Sequence, residues 1–178
     1  EKAYDTTWRH KILKTLFDWK IRGNLPTLLQ HFLTNRKFQV KANSTFSDVL
    51  LQENGIPQGS VLSVILFLIA INDIARCLPK GIKGSLFVDD FCVYISTKNI
   101  KIAKLCLRKT LQNLEKWSTY TGFKFSTKKT TGIIFTRKRK VPNIKLYLNK
   151  TKISFLKSVK FLGLTFDQKL NWNEHVTD

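Results

Sequence analysis

The chain has 178 residues, 43% of them hydrophobic, which suits a folded domain with its own core and argues against disorder. Lys and Arg total 31 against 12 Asp and Glu, a formal charge of +19. A surplus that large repels itself in a compact state unless a polyanion shares the surface, which points to nucleic acid first and an acidic membrane surface second.

In chain order, the first predicted helix runs from Thr7 to Ile21. Thr7 can cap it, Trp8, Ile12, Leu16 and Trp19 share a face, and Gly23-Asn24 ends it. Leu25, Leu28, Leu29, Phe32 and Leu33 mark a second helix, with Pro26 in its first turn. Phe38, Val40 and Ala42 alternate with Lys37, Gln39 and Lys41 as a strand, turned by Asn43-Ser44 towards a partner through Val49-Leu50-Leu51. The loop Asn54-Gly55-Ile56-Pro57-Gln58-Gly59 feeds a helix from Ser60 to about Cys77. Pro79-Lys80-Gly81 breaks the chain before a hairpin that carries Asp89 and Asp90.

Asn99 to Tyr120 is a long amphipathic helix with Ala103, Leu107, Leu111, Leu114 and Trp117 inward, stopped by Gly122. Ile133-Ile134-Phe135 and Ile144, Leu146 and Leu148 flank the basic turn Arg137-Lys138-Arg139-Lys140. Phe161 to Phe166 follows, and Asn171 is placed to cap a last helix. This mixed order of helices and hairpins argues for an α+β domain with an antiparallel sheet covered by helices on one face.

Cys77, Cys92 and Cys106 form no Cys-x-x-Cys pair and read as reduced, mostly buried thiols of an intracellular protein. His10, His31 and His175 have no ligand spacing. The longest apolar run, Val61 to Ile71, is interrupted by Ser63 and falls short of the roughly 20 residues a bilayer span needs. No signal peptide is visible. The chain has no Met and opens inside an apparent element, as expected of a piece of a longer protein.

The Asp89-Asp90 pair is the strongest chemical signal. Gly84 to Val88 and Phe91 to Ser96 flank it as strands rich in β-branched and aromatic residues. Two like charges at a hairpin turn repel, and a divalent cation would relieve them. A solvated surface turn is the plain alternative. Basic residues interleave with aromatics at Lys124-Phe125, Phe135-Thr136-Arg137 and Lys160-Phe161, a mixture suited to holding backbone by charge and bases by stacking.

Five segments then fall in a family's order. Glu1-Lys2-Ala3-Tyr4-Asp5-Thr6-Thr7-Trp8, Asn54 to Ser63, Phe87-Val88-Asp89-Asp90, Gly122 to Thr130, and Lys160 to Asp167 with Leu170-Asn171-Trp172 and His175 together resemble the reverse transcriptase of non-LTR, jockey-like retrotransposons. The resemblance covers essentially the whole chain. It implies a right-hand polymerase fold in which residues 1–178 are a palm region, lacking complete fingers and thumb. It also implies RNA-templated DNA synthesis by two-metal nucleotidyl transfer, with Mg²⁺ or alternatively Mn²⁺, an RNA template, a DNA primer and deoxynucleoside triphosphates as partners, no membrane, and a cytoplasmic or nuclear location. Such a transfer uses ions about 3.5–4 Å apart.

By the same resemblance, Asp89 is the main metal ligand and Asp90 the supporting one. Lys129 is a proton donor to the leaving pyrophosphate, with Lys128 next to it as the competing choice. Tyr4, Gln58 and Gly59 contact nucleotide or template, and Phe161, Leu162 and Gly163 grip the primer end. Each has a structural alternative: core packing for Tyr4, an ordinary loop for Pro57-Gln58-Gly59, a solvated basic turn for the lysines, a buried strand for Phe161 to Gly163. The family's first-motif Asp would lie four residues before Ala3, outside this chain, so the fragment alone is expected to be inactive. Val88 and Val64 stand where the family commonly has Ala and Pro. A catalytically dead, nucleic-acid-binding remnant of such an element is the main alternative, and an intron maturase or telomerase shares the palm.

Overall fold

Outside the long helix Ile100–Thr121, the hydrophobic pattern of this chain changes period every few residues, and the strands are correspondingly short. The computed structural model describes residues 3–177. Among them are five α-helices, one 3₁₀ helix and twelve strands of at most five residues. The chain falls into two compact units: Glu1–Ile74 with Thr119–Lys124, and Ala75–Ser118 with Phe125–Asp178.

In the first unit, α1 (Arg9–Asp18) packs on α2 (Asn24–Leu33) and on α3 (Val61–Ile71). Ile12, Leu16, Leu29, Leu33, Leu66 and Phe67 are buried there. Helix α1 is shorter than its pattern predicts. Its N-cap is Trp8, without a side-chain cap. The Thr7 hydroxyl is engaged elsewhere, donating to the Ala3 carbonyl at 2.7 Å. Trp8 and Trp19 therefore sit at the cap positions, 42% and 47% exposed, instead of on the buried stripe.

The stop signal of α1 also differs. Lys20 takes the left-handed conformation (φ 61°), its N–H reaching the Phe17 carbonyl while that of Ile21 reaches Leu16. This is the Schellman pattern, made here by a lysine. Gly23 (φ 87°) instead serves as the N-cap of α2.

Four two-residue strands follow. β1 (Lys37–Phe38) pairs antiparallel with β4 (Leu50–Leu51), and β2 (Lys41–Ala42) with β3 (Thr45–Phe46) across Asn43-Ser44. The single predicted strand is split at Gln39-Val40, because the Val40 N–H goes to the Ser47 hydroxyl at 2.9 Å. Helix α3 gives way at Asn72 to a 3₁₀ helix, Asn72–Cys77, rather than running on as one helix.

The second unit holds the hairpin of β5 (Lys83–Phe87) and β6 (Asp90–Tyr94) and most of α4 (Ile100–Thr121). The Asn99 carboxamide oxygen caps α4 by accepting from the Lys101 N–H at 2.9 Å, and Gly122 (φ 79°) follows its end. Ala103, Leu111, Leu114 and Trp117 are buried along α4 as predicted, with Leu107 partly buried. Then come β7 (Thr131–Ile133), β8 (Tyr147–Leu148), β9 (Thr151–Lys152), β10 (Ser154–Leu156), β11 (Ser158–Phe161), β12 (Leu164–Asp167) and α5 (Asn173–Thr177). Helix α5 starts two residues beyond Asn171, the predicted cap.

Ile144, Leu146 and Leu148 alternate inward and cluster with Leu111 and Ile153. Only the last of the three lies in a ladder, in the β8–β9 hairpin. The α+β class is observed, with a change in its β part. The strands form two-stranded pairs, five antiparallel and one parallel (β7 with β10), and no continuous sheet is assembled among the described residues. Strands of two to five residues that end in turns leave few backbone groups to offer a third neighbour. All three cysteines lie outside any disulfide and are half-buried, so "mostly buried" overstated them.

Candidate active site

Each unit carries part of the residues that the motifs nominate. In the second unit, β5 and β6 pair in register from Lys83↔Tyr94 to Phe87↔Asp90, which leaves Val88-Asp89 as a two-residue turn. Val88 has φ 52°, and Asp89 does not share the positive sign. Positive φ at the first turn position alone matches a type II′ turn, where glycine is the favoured residue. A β-branched side chain there is strained.

Asp89 thus sits at the tip and Asp90 opens the returning strand. Both are exposed, and their side chains make no hydrogen bond or ion pair among the described residues. Two residues on, burial pushes the Cys92 thiol up, so it stays neutral at physiological pH and adds no further anion beside the pair. Residues 127–129 form a turn, closed by the Thr130 N–H on the Ser126 carbonyl at 2.9 Å, and both Lys128 and Lys129 are exposed on it. Phe161 and Leu164 close the β11–β12 hairpin. Leu162 (φ 50°) and Gly163 (φ 81°) form its exposed turn, while Phe161 is half-buried.

In the first unit, the loop Asn54–Gly59 is fastened to the segment that precedes α1. The Gly55 N–H donates to Thr7 (2.9 Å) and the Ile56 N–H to Tyr4 (3.0 Å). The buried Arg9 donates from Nε to the Gly55 carbonyl (2.7 Å) and from Nη2 to Asn54 (3.1 Å). Burial, with the nearby Arg36 charge second, lowers its pKa from the usual arginine value. Gly55 (φ 84°) is obligatory: a Cβ there would lie 2.7 Å from the Asp5 carbonyl oxygen.

Gln58 Nε2 donates to Asp5 Oδ1 at 2.8 Å, and Ser63 closes the loop by donating to the Pro57 carbonyl. Tyr4, Gln58 and Gly59 are therefore gathered on one loop cluster. The Tyr4 ring is half-buried and stacks on Phe67 at 4.8 Å and 12°, so one of its faces is already occupied. Gly59 (φ 86°) has nothing within 4 Å of a would-be Cβ, which leaves open space in front of its backbone.

Sequence reasoning missed Arg9, Asp5 and Phe67 as the supports of this loop. An arginine in a helical pattern reads as solvated, and the only local hint was an unusually apolar loop, Gly55-Ile56-Pro57. Among the described residues no group of three or more His, Cys, Asp or Glu is placed to hold a metal ion; Asp89 and Asp90 are two adjacent carboxylates without a third beside them. As exposed, uncommitted hard oxygen donors, they suit a cation such as Mg²⁺. No helix among the described residues is long and apolar enough to cross a membrane.

Comparison with known proteins agrees with the motifs. The chain is 26% identical over 184 residues to the "Probable RNA-directed DNA polymerase from transposon X-element" of Drosophila melanogaster, covering 99% of this chain. It is 26% identical over 188 residues, 100% of this chain, to the "RNA-directed DNA polymerase from mobile element jockey" of the same fly. With its Drosophila funebris counterpart the identity is 27% over 187 residues, 99% of this chain. The chain spans 20% of the length of each of these relatives. The resemblance to jockey-like non-LTR elements is thereby borne out. Residues 1–166 match the family described as "Reverse transcriptase (RNA-dependent DNA polymerase)", and the chain belongs to that family.

Proposed function

We propose that this chain is the palm portion of a reverse transcriptase that copies RNA into DNA during mobilisation of a non-LTR element, inside the cell. The observation that supports this most directly is the Asp89-Asp90 pair, exposed and uncommitted at the tip of a strained hairpin in a chain of this family. In this reading Asp89 and Asp90 would hold divalent metal, which when bound supplies positive charge against the phosphate oxygens.

The chain's own groups do the rest by positioning. The β5–β6 ladder fixes where the two carboxylates stand. Gly59 leaves its backbone open to a nucleotide or template, and Gln58, held by Asp5, offers a directed polar group next to it. Tyr4 turns its remaining face to a sugar, and its stacking on Phe67 keeps the ring from rotating away. Lys129 delivers a proton to the departing pyrophosphate, and the turn Leu162-Gly163 holds the primer end. The parent's substrates are an RNA template, a DNA primer and deoxynucleoside triphosphates.

Primer extension on an RNA template by the parent polypeptide tests this. Asp89→Asn should abolish extension while leaving binding to an RNA–DNA hybrid in place. Full extension by that variant would remove Asp89 from the chemistry. Binding with no extension by the unmodified parent would identify a catalytically dead remnant instead.

A further inference from the structure

Away from the catalytic hairpin, the second unit carries a row of rings that the proposed reaction leaves unused. Phe135 meets Phe166 at 6.3 Å and 67°, Phe166 meets Trp172 at 5.4 Å and 55°, and Trp172 meets His175 at 6.3 Å and 68°. The row is not sealed in a core: Phe135 is 50% and Trp172 40% exposed.

Its geometry is fixed by Asp167, whose Oδ2 accepts from the N–H groups of Asn171 (2.7 Å) and Trp172 (2.9 Å) and whose Oδ1 accepts from Lys169 (2.8 Å). Trp172 is held in the left-handed region, φ 64°. The row lies at the open end of the β11–β12 hairpin, where Val159 pairs with Phe166. That is about 10 Å along the strand from the Leu162-Gly163 turn, at ~3.4 Å per residue.

A basic arm starts at the same place. The Thr136 N–H donates to the Gln168 carbonyl at 2.9 Å, which ties the arm's root to the loop that Asp167 organises. Arg137, Lys138, Arg139 and Lys140 then follow as four consecutive exposed cations outside any helix or strand. None of their side chains has a hydrogen-bond or ion-pair partner among the described residues. Asp167, the carboxylate at the arm's root, accepts from backbone N–H groups and forms no ion pair with them.

We propose that this strip is a contact for single-stranded nucleic acid, with bases stacked on Phe135 and Trp172 and the sugar-phosphate backbone running along Arg137–Lys140. It rests on the reading above that the chain handles nucleic acid, and it adds a binding element separate from the Asp89-Asp90 tip and the Leu162-Gly163 turn. Exposed rings next to an uncommitted row of cations are the two components that sequence-tolerant single-strand binding requires. A duplex keeps its bases stacked on each other and cannot use the rings.

The test is fluorescence anisotropy of fluorescein-labelled 20-nucleotide oligouridylate and oligothymidylate with the intact chain, titrated over a range of salt. In the variant Arg137→Gln/Lys138→Gln/Arg139→Gln/Lys140→Gln, whose four sites are exposed, affinity should fall at least tenfold near 0.1 M salt. Its log–log salt slope should shrink by ~3, from about 0.7 per phosphate contact on a single strand. Trp172→Leu, checked by circular dichroism for an intact fold, should weaken binding about fivefold or more with the slope unchanged, since stacking releases no counterions. If that variant does not fold, the charge variant alone decides.

Binding of both oligonucleotides by the unmodified chain, with the charge variant unchanged in affinity and slope, overturns the strip and leaves the nucleic-acid reading standing. No binding by the unmodified chain overturns both. Unchanged oligonucleotide binding together with lost binding to polyglutamate marks the arm as a protein-docking segment and overturns the proposal.

Discussion

Val88 is the residue where local preference and structure disagree most sharply. A valine at φ 52° occupies a turn position that suits glycine. Val88→Gly should therefore stabilise the chain by about 1 kcal/mol, by relieving a strained backbone. Chemical denaturation would show this as a higher midpoint at unchanged slope, and a lower midpoint would mean that the packing of the half-buried valine outweighs the strain. Gly55 is the opposite case, a glycine that the structure cannot replace. Gly55→Ala combines a positive φ with a Cβ 2.7 Å from the Asp5 carbonyl and should cost about 2 kcal/mol or more. The same denaturation experiment reads it. The hairpin that carries Asp89 and Asp90 was legible from residue types alone, because apolar and β-branched runs flank the pair on both sides. The strain beside them was not, because φ at residue 88 follows from the two-residue register of the hairpin and not from valine's own preference.

At the level of elements, helices were legible in their interiors and misread at their ends. The inward stripe of α4 follows directly from its 3.6-residue period. The Schellman stop at Lys20 does not, since lysine gives no signal for left-handed backbone. The loop after β12 gives a pH prediction. Desolvation works to raise the Asp167 carboxyl, but the N–H bonds from Trp172, Lys169 and Asn171 outweigh it, and its pKa ends below the usual carboxylate value. A depressed folded-state pKa adds stability that is complete above the unfolded value, near 3.9, and fades as pH falls through the folded one. The loop 168–172 should accordingly loosen only below about pH 4, seen as a change in Trp172 fluorescence that Asp167→Asn abolishes. An acid transition that persists in Asp167→Asn would assign the change to another group. In the β8–β9 core, Ile153→Ala removes a buried side chain packed with Leu111, Ile144, Leu146 and Leu148 and should cost about 2–4 kcal/mol in the same denaturation assay.

For the whole molecule, the proposed function ties the charge of +19 to a polyanionic partner, and binding of the chain to an RNA–DNA hybrid should weaken linearly in log affinity against log salt. Affinity independent of salt would separate the charge surplus from nucleic acid altogether. The order of motifs was enough to place the chain in its family, but the supports of the Asn54–Gly59 loop were hidden because they join residues far apart in sequence. Arg9 bonds to residues 46 and 45 positions further along, Gly55 and Asn54. That separation sets a schedule. A ribosome adding about 5–20 residues per second needs roughly 2–9 seconds to pass from Arg9 to Gly55. For that interval the guanidinium that will be buried has neither carbonyl to bind, so the first unit cannot close from its N-terminal helix forward and must wait for the loop to be made.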